Sequence, residues 1–386
     1  MIAALRKLNC PLLAAMLALM AVGTVAIWSA GGARPEAAFH GMWKANLTAA
    51  AVALVVYFAL ALVDYRRYLP VMAPAAYALA AVLLVLVLVV GSVRLGGRRW
   101  LWFFQPSEVA KLAVIAAIAQ VFGSPTAAMR GFRGFLTAAA LIAVPVVLIL
   151  AEPDLGTALT LLPATLVMLV SAGVWRRGIV SLVAAGFLSA LAVLGAVGAA
   201  ERPGTSPERR ERILAWVPLA EHQIRRVKVF LYPEEDPLRD GYNLRQAKIS
   251  IGSGGFAGKG IGRGESNHLR YLPPAVSMND FIFCVWAEET GYRGTLLILT
   301  LFATLTLAGG YVALRSQDGA GRLLALGVAT LVFAHVFINL AMSIGIVPIT
   351  GVPLPFISSG RTFLVTVTAA LGIVQSVSVY GRKESS

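Results

Sequence analysis

The sequence has few charged residues, few cysteines and few histidines for its length. Only 13% of its 386 residues are charged and 58% are hydrophobic, whereas a soluble domain carries about 25% charged residues. The two cysteines, Cys10 and Cys284, lie at or within apolar runs, so neither a disulfide framework nor a metal cluster is available to them. The four histidines lack the spacing of metal ligands. The composition excludes an ordinary soluble domain and indicates an integral membrane protein.

Ten apolar runs are long enough to cross a membrane, because a hydrocarbon core of roughly 30 Å needs about 20 residues of helix. None shows the period-two alternation that is typical of a membrane β-barrel. We therefore predict an all-α, polytopic bundle of ten transmembrane helices, and we interpret the first run as a retained helix. The runs lie near residues 11–30, 46–63, 71–92, 106–122, 134–151, 156–173, 178–199, 281–312, 323–345 and 361–379.

The formal net charge of +14 would suit a nucleic-acid-binding protein, but the basic residues are distributed as in a membrane protein. Pairs of Lys or Arg occur in alternate segments between the runs, and the positive-inside rule makes these segments cytoplasmic. This predicts that both termini are cytoplasmic, that residues 201–280 lie outside, and that nucleic acid is not a partner. The pairs are Arg6/Lys7, Arg66/Arg67, Arg130/Arg133, Arg176/Arg177, Arg315/Arg322 and Arg382/Lys383.

A long polar segment, residues 201–280, separates the seventh and eighth runs and carries thirteen Lys or Arg and ten Asp or Glu residues. Within it, Ile224, Val227 and Leu231 recur at helical spacing among arginines such as Arg225. This pattern predicts amphipathic helices on the outer membrane face, whose basic residues either attract phosphate-bearing lipid or are simply solvated. We expect a single membrane domain with helices 1–7 in 1–200, this loop in 201–280 and helices 8–10 in 281–386.

A glycine-rich stretch, residues 252–264, partly matches a phosphate-binding loop through Gly258-Lys259. The match fails because Ser253 stands where the first glycine is needed and Gly260 stands where Ser or Thr would hold magnesium. We expect instead tight turns, or a close approach to another chain segment or a ligand, as in a re-entrant segment.

Asp280 follows the polar run Ser277-Met278-Asn279 and precedes the apolar run that begins at Phe281. A carboxylate at a membrane edge is costly, so it is by default a candidate functional residue. The alternative is an acid that caps a helix and has no chemical role.

Two further motifs place charged residues at the starts of outward-facing runs. In QPSEVAK the proline suits the first position of a helix, and Glu108 and Lys111 share one helix face. In EPDLGT, Asp154 precedes an apolar helix. The helix dipole alone stabilises an acid in a first turn, but independent caps explain a mixed-charge cluster poorly. We expect these side chains to lie near Asp280 at the outer boundary.

These motifs make the chain resemble the SEDS family, the FtsW/RodA/SpoVE proteins of cell shape, elongation and division. Five motifs occur in the family's order along nearly the whole chain: QPSEVAK, PDLGT, FLYPEEDP…GYNLRQAKISIGSGGFAGKG, DFIF…EETG and PITGVPLPFISSG. The GKG ending and the FLYPEEDP segment are more similar to RodA than to FtsW.

The resemblance implies a peptidoglycan glycosyltransferase in the bacterial cytoplasmic membrane that polymerises lipid II on the outer face, together with a class B penicillin-binding protein. It matches Asp280 to the family's essential aspartate, and Glu108, Lys111 and Asp154 to charged residues of an adjacent cavity. Two alternatives stay open: a flippase that moves lipid II across the membrane, and a non-catalytic scaffold of the cell-wall synthesis complex.

In the implied reaction, the 4-hydroxyl of an acceptor sugar attacks the anomeric carbon of the donor as undecaprenyl pyrophosphate leaves, with inversion. A positioned carboxylate can remove the hydroxyl proton, and Asp280 is the candidate general base. The leaving pyrophosphate needs positive charge from Lys, Arg or a divalent cation, Mg²⁺ or Mn²⁺; whether a cation is required stays open. The candidate substrate-binding residues are Glu108, Lys111, Asp154, Gln105, Arg94, Arg98, Arg99 and Arg361. The arginines at 94, 98 and 99 could instead anchor lipid headgroups.

The chain departs from the family's pattern in two places. Residues 274–279 precede Asp280 without the glutamate, histidine and threonine that the family has there. Near the last run, Ser358-Ser359-Gly360-Arg361 stands where the family has Ser-Tyr-Gly-Gly. Arg361 could bind phosphate, pair with an acid or mark a divergent paralogue.

Overall fold

A computed structural model of the protein describes residues 7–32, 37–94, 97–101, 104–202, 204–269 and 271–381. The basic residues Arg6, Arg382 and Lys383, which support the predicted orientation, lie outside these ranges. Each of the ten predicted runs coincides with a helix. Within the described residues, eight helices are long and apolar enough to cross a membrane. The prediction of an all-α polytopic membrane protein is confirmed.

The helices before the long loop are α1 (Cys10–Gly32), α2 (Ala37–His40), α3 (Met42–Ala61), α4 (Tyr65–Val90), α5 (Pro106–Phe122), α6 (Ala127–Arg130), α7 (Phe132–Ala151), α8 (Leu155–Ser171) and α9 (Arg176–Ala200). Strands β1 (Ser92–Arg94) and β2 (Gly97–Trp100) form an antiparallel hairpin between α4 and α5.

The 201–280 loop contains α10 (Pro207–Ala215), α11 (Glu221–Leu231), a 3₁₀ turn (Pro233–Glu235), α12 (Asp240–Ser253), α13 (Glu265–His268) and α14 (Pro274–Ser277). The predicted helices of this loop are therefore present. The last three long helices are α15 (Ile282–Arg315), α16 (Gly319–Ser343) and α17 (Arg361–Tyr380).

Helices α16 and α17 form the centre of the bundle. Helix α3 packs along α17, while α15, α8 and α5 pack against α16. The helices α5 and α8 have 17 residues each, which corresponds to about 25 Å at 1.5 Å per residue, near the lower limit for a span. These two short helices carry Glu108 and Asp154 at their starts. The candidate charged residues therefore lie at one end of the bundle, on helices packed against its centre.

The glycine-rich stretch 252–264 makes a close approach to the start of α15. The backbone amides of Lys259 and Gly260 donate to the carbonyl oxygens of Glu288 and Glu289 at 3.1 and 2.9 Å. A Cβ atom on Gly258 would lie 2.2 Å from the Glu289 carbonyl oxygen, so a side chain cannot fit there. The glycine-rich stretch therefore makes the close approach to another chain segment that the sequence analysis gave as one of its expectations.

Helix α15 is interrupted at Gly291, which has a φ of 65°. A Cβ atom at this position would lie 2.4 Å from the amide nitrogen of Gly258. The break therefore lies where the glycine-rich stretch crosses the helix, and it separates a short segment that follows Asp280 from the longer remainder of α15.

Helix α1 contacts the segment before α17 through Gly23. A Cβ atom on Gly23 would lie 2.0 Å from the Phe356 carbonyl oxygen, and Phe356 itself has a φ of 65°. This contact holds the 344–360 segment against the bundle, and the absence of a side chain at Gly23 makes it possible.

Changing Gly23 to alanine is expected to destabilise the protein by about 1–3 kcal/mol, because the added methyl group forces α1 and Phe356 apart. Thermal unfolding in detergent measures the change as a lower midpoint temperature. The matched control is Gly186→Ala in α9, where nothing lies within 4 Å of the added atom and where alanine favours the helix. Equal midpoints for Gly23→Ala and wild type would contradict the close approach.

Candidate active site

Asp280 lies between α14 and α15 and is partly exposed. It does not cap α15: the N-cap residue is Phe281, and no side chain makes a capping hydrogen bond there. The Asn339 side chain donates to the Asp280 carbonyl oxygen at 3.0 Å and to the Val352 carbonyl oxygen at 2.8 Å. The backbone of Asp280 is thus fixed to α16 and to the 344–360 segment, while its carboxylate is not used as a helix cap.

The Asp280 carboxylate and the Arg226 guanidinium lie beside Gly351. A Cβ atom built on Gly351 would lie 3.6 Å from Asp280 Oδ2 and 3.9 Å from Arg226 Nη1. Arg226, on α11, also donates to the Thr350 carbonyl oxygen at 3.1 Å. Gly351 has a φ of 72°, a conformation that glycine adopts without strain. We call Asp280, Arg226, Thr350 and Gly351 the Asp280 site.

Burial raises the pKa of Asp280 from 3.8 to about 6, partly offset by the positive charges of Arg226 and then Arg99, while Asp240 adds a smaller increase. Burial lowers the pKa of Arg226, and the negative charge of Asp240 offsets part of this decrease. A carboxyl with a pKa near 6 is mostly ionised at pH 7 and is more basic than an ordinary aspartate, as a general base requires.

Arg99 points toward the turn before α8 because of a β-bulge. Ser92 pairs with Trp100 and Val93 with Arg98, so Arg99 is the extra residue of β2. Its guanidinium donates to the carbonyl oxygens of Glu152 and Pro153 and lies 3.7 Å from Asp154 Oδ1.

Asp154 is both a helix cap and a member of a charged group. Its carboxylate accepts from the Thr157 amide at 3.2 Å and from the Thr157 hydroxyl at 2.8 Å. The Gln105 side chain donates to Asp154 Oδ2 at 2.9 Å. Both carboxylate oxygens of Asp154 therefore already have partners among Thr157, Gln105 and Arg99. Asp154 orients the side chains of Gln105 and Arg99.

Glu108 and Lys111 form a buried ion pair on α5. Their side chains are 6% and 2% exposed, and Lys111 Nζ lies 2.9 Å from Glu108 Oε2. Lys111 Nζ also lies 2.8 Å from His335 Nε2. Because an ammonium group can only donate, His335 Nε2 accepts and its proton is on Nδ1, which faces the Pro353 carbonyl oxygen at 3.4 Å. We call Glu108, Lys111 and His335 the Lys111 group.

One face of α16 connects the Lys111 group to the Asp280 site. His335 contacts Lys111, and Asn339, four residues later, contacts the backbone of Asp280. Residues four apart lie on one face of a helix, about one turn or 5.4 Å along its axis. The structure therefore places Asp280 and the pair of Glu108 and Lys111 in two adjacent layers.

Three of the predicted arginines lie elsewhere or are not described. Arg98 donates to the carbonyl oxygens of Leu88 and Val89 at 3.1 and 3.3 Å, where it caps the end of α4. The Arg94 side chain lies outside the part of the chain that the structure describes. Arg361 is the exposed first residue of α17 and faces a groove between α3, α5 and α17.

The segments 274–279 and 358–361 contact each other. The Ser358 hydroxyl donates to the Asn279 carbonyl oxygen at 2.7 Å, and the Ser359 hydroxyl donates to Asn279 Oδ1 at 2.5 Å. The Ser359 amide donates to the Met278 carbonyl oxygen at 3.0 Å. Asn279 and the two serines thus link the residue before Asp280 to the segment before α17.

Sequence patterns did not single out Arg226, His335, Asn339 or Glu152. Glu152 is fully buried, and its two side-chain oxygens have no hydrogen-bond partner among the described residues. Burial first, and then the charge of Asp154, raise the pKa of Glu152 to about 8, with Arg99 opposing the change. The sequence pattern that could have identified Arg226 is its position on a basic amphipathic helix. No local sequence pattern distinguishes His335 or Asn339 from the residues around them.

The described residues do not form a protein cage for a divalent cation. They contain no group of three or more His, Cys, Asp or Glu side chains that could hold a metal. The Asp154 oxygens already accept hydrogen bonds from Thr157 and Gln105. We therefore derive no step through a metal, and we assign the positive charge near Asp280 to Arg226 and Arg99.

The fold and these groups define a multi-pass helical membrane protein with ionisable residues gathered at one end of its bundle. The FtsW/RodA/SpoVE family model, described as cell cycle protein, matches residues 10–383. The chain belongs to this family.

Several relatives match nearly the whole chain. Peptidoglycan glycosyltransferase MrdB of Escherichia coli (strain K12) is 35% identical over 373 residues, 94% of this chain and 91% of the relative. Stage V sporulation protein E of Bacillus subtilis (strain 168) is 31% identical over 376 residues, 95% of each chain.

Solved structures show the same fold. A chain from a peptidoglycan synthase complex that coordinates polymerization and crosslinking has a TM-score of 0.73 and 29% identity, over 95% of this chain and 96% of that one. The rod shape determining protein RodA of Thermus thermophilus has a TM-score of 0.66 and 26% identity, over 97% of each chain.

Proposed function

We propose that this protein is a peptidoglycan glycosyltransferase that polymerises lipid II at the outer face of the bacterial cytoplasmic membrane, with Asp280 as general base. The observation that carries the proposal is Asp280: the residue is partly exposed, its side chain caps no helix, and its carboxylate lies beside Gly351, as the Arg226 guanidinium does. The activity named for MrdB supports the reaction. The distribution of basic pairs supports cytoplasmic termini and an outer Asp280 site.

In the proposed reaction, the acceptor 4-hydroxyl attacks the anomeric carbon of the donor, and Asp280 takes the hydroxyl proton. The bond from the anomeric carbon to the pyrophosphate oxygen breaks, and its electron pair leaves with undecaprenyl pyrophosphate. Arg226 and Arg99 are the positive charges that act on Asp280, and we assign to them the stabilisation of the charge that develops on the leaving group.

The Lys111 group has a supporting role in this proposal. Glu108 and Lys111 are too buried to meet a sugar directly, but their contact with His335 fixes the face of α16 that also holds the Asp280 backbone. Asp154 acts similarly on Arg99, because its carboxylate lies 3.7 Å from the guanidinium beside the turn before α8. Gln105 donates a hydrogen bond to Asp154 and so helps to hold that carboxylate in place.

A class B penicillin-binding protein is the proposed partner, in cell elongation and shape or in division. The similarity to a chain of a peptidoglycan synthase complex supports such an assembly. The partner would crosslink the glycan that this chain polymerises.

Polymerisation of lipid II by the purified protein, alone and with its partner, tests the function. Wild type should yield glycan polymer, and Asp280→Asn should form it far more slowly. A flippase would instead move lipid II across vesicle membranes without making polymer. A scaffold would support synthesis equally well with Asp280→Asn, so polymer formation by that variant at the wild-type rate would reject the catalytic role.

The polymerisation rate should fall as pH drops through about 6, because the raised pKa of Asp280 places its protonation there. Arg226 is the largest of the charges that lower this pKa. In Arg226→Gln, the acid limb of kcat/KM should therefore move to higher pH. Rate profiles between pH 5 and 8 measure the shift.

The matched control for this profile is Arg209→Gln. Arg209 is an exposed residue of α10, and it is not among the charges that act on Asp280. Its acid limb should stay close to that of wild type. An unchanged profile in Arg226→Gln would show that Arg226 does not set the pKa of the base.

A further inference from the structure

A groove of about 630 Å³ lies between the first turns of α3, α5 and α17. Its walls are mainly small or aliphatic side chains, including Ala45, Ala49, Val52, Leu112, Val365 and Ala369. Arg361 also lines the groove. We call this feature the Arg361 groove.

The groove occupies one half of the membrane thickness. From Arg361 to Ala369, α17 rises by about 12 Å, close to half of a hydrocarbon core of roughly 30 Å. Val109 and Leu112 lie in the first two turns of α5, which carries Glu108 at its start. The groove therefore opens in the leaflet at the same end of the bundle as the Asp280 site.

Arg361 provides the one positive charge among the side chains that line the groove. It is exposed at the first position of α17, and no carboxylate among the described residues forms an ion pair with it. The start of a helix adds a partial positive charge to that of the guanidinium. An apolar trough with an uncompensated cation at its membrane-surface end matches a lipid chain that carries an anionic headgroup.

The groove also adjoins the residues beneath the Asp280 site. Leu112 and Thr366 line both the groove and the small cavity around the Lys111 group. A lipid in the groove would therefore lie one side-chain layer from the helices that position Asp280.

We propose that the Arg361 groove binds the polyprenyl chain of a lipid-linked phosphate substrate, with the phosphate at Arg361. This inference rests on the proposed function, in which both substrates are polyprenyl-linked sugars. Two such lipids must keep their chains in the bilayer while their headgroups meet at Asp280. The Arg361 groove supplies a defined place for one of the two chains.

Binding of undecaprenyl phosphate to the purified full-length protein, in phosphatidylcholine nanodiscs, tests the proposal. Wild type should bind undecaprenyl phosphate more tightly than undecaprenol, which lacks the phosphate. Arg361→Gln should weaken binding of the phosphate about tenfold, the effect of losing one charge-assisted contact, and should leave undecaprenol binding unchanged. Ala49→Phe, which fills the trough, should weaken both.

Two variants serve as matched controls. Arg212→Gln removes one exposed positive charge from α10 in the 201–280 loop, and Ala51→Phe adds the same ring to an exposed position of α3 that does not line the groove. Both should bind undecaprenyl phosphate like wild type. Equal binding by Arg361→Gln and wild type would overturn the proposal. So would competition by phosphatidylglycerol at equal concentration, since it would indicate a surface for any anionic lipid.

The outcome is separable from that of the proposed function. Asp280→Asn should bind undecaprenyl phosphate like wild type, because Asp280 does not line the groove. If wild type makes no polymer but Arg361→Gln still weakens binding, the groove assignment stands and the glycosyltransferase proposal falls. If polymer forms and Arg361→Gln binds normally, only the groove assignment falls.

Discussion

The Asp280→Asn variant is expected to polymerise lipid II about 10²–10⁴-fold more slowly than wild type, the usual contribution of a general base. Asparagine has nearly the same shape but cannot accept the hydroxyl proton. The fold should be kept, because Asn339 holds residue 280 through its backbone carbonyl and the side chain does not cap α15. Polymer yield over time, with the partner present, measures the loss.

A second aspartate in the same loop provides the control. Asp236 is partly exposed in the 201–280 loop and is not among the groups that act on Asp280. Asp236→Asn should therefore retain near wild-type polymerisation. If Asp280→Asn keeps both its thermal midpoint and its polymerisation rate, Asp280 is not the base.

Replacing Lys111 by methionine is expected to destabilise the protein by about 3–5 kcal/mol, because it leaves Glu108 buried without its partner. Lys111 also contacts His335 at 2.8 Å and lies 5.5 Å from the centre of the Phe363 ring. Its loss therefore disturbs α16 and α17 together. Thermal or denaturant unfolding in detergent measures the change.

The double variant Lys111→Met with Glu108→Gln separates a structural role from a catalytic one. Removing both charges takes away the unpaired carboxylate, so most of the lost stability should return. If the double variant is no more stable than Lys111→Met, the buried pair is not the source of the loss. If it regains stability but makes no polymer, one of the two residues acts more directly on the substrate than proposed here.

The ten apolar runs predicted the long helices well because a segment that spans lipid must be apolar along its length, and local composition shows this. The ends of the helices follow other rules. Helix α4 starts at Tyr65, before the predicted run at 71, because the Asp64 side chain caps it through the Arg66 amide. The break at Gly291 was missed because it depends on Gly258, more than thirty residues earlier in the chain, and an apolar pattern contains no information about that contact.

The site was predictable where charge lies against an apolar background, and not where a partner comes from a distant helix. Asp280, Glu108 and Lys111 stand out in the sequence for that reason. His335 lies in an ordinary apolar run and becomes significant only because the fold places it 2.8 Å from Lys111. Asp154 was weighed as either a cap or a member of a charged group, and the structure shows that one carboxylate fills both positions.

The hydrogen bond from the Ser359 hydroxyl to Asn279 Oδ1 joins two side chains, so the residue types at 279 and 359 depend on each other. A chimaera that takes only one of the two segments from a relative would leave polar atoms unmatched next to Asp280, and partly satisfied polar networks are costly. Grafting between relatives should therefore exchange 274–279 and 358–361 together.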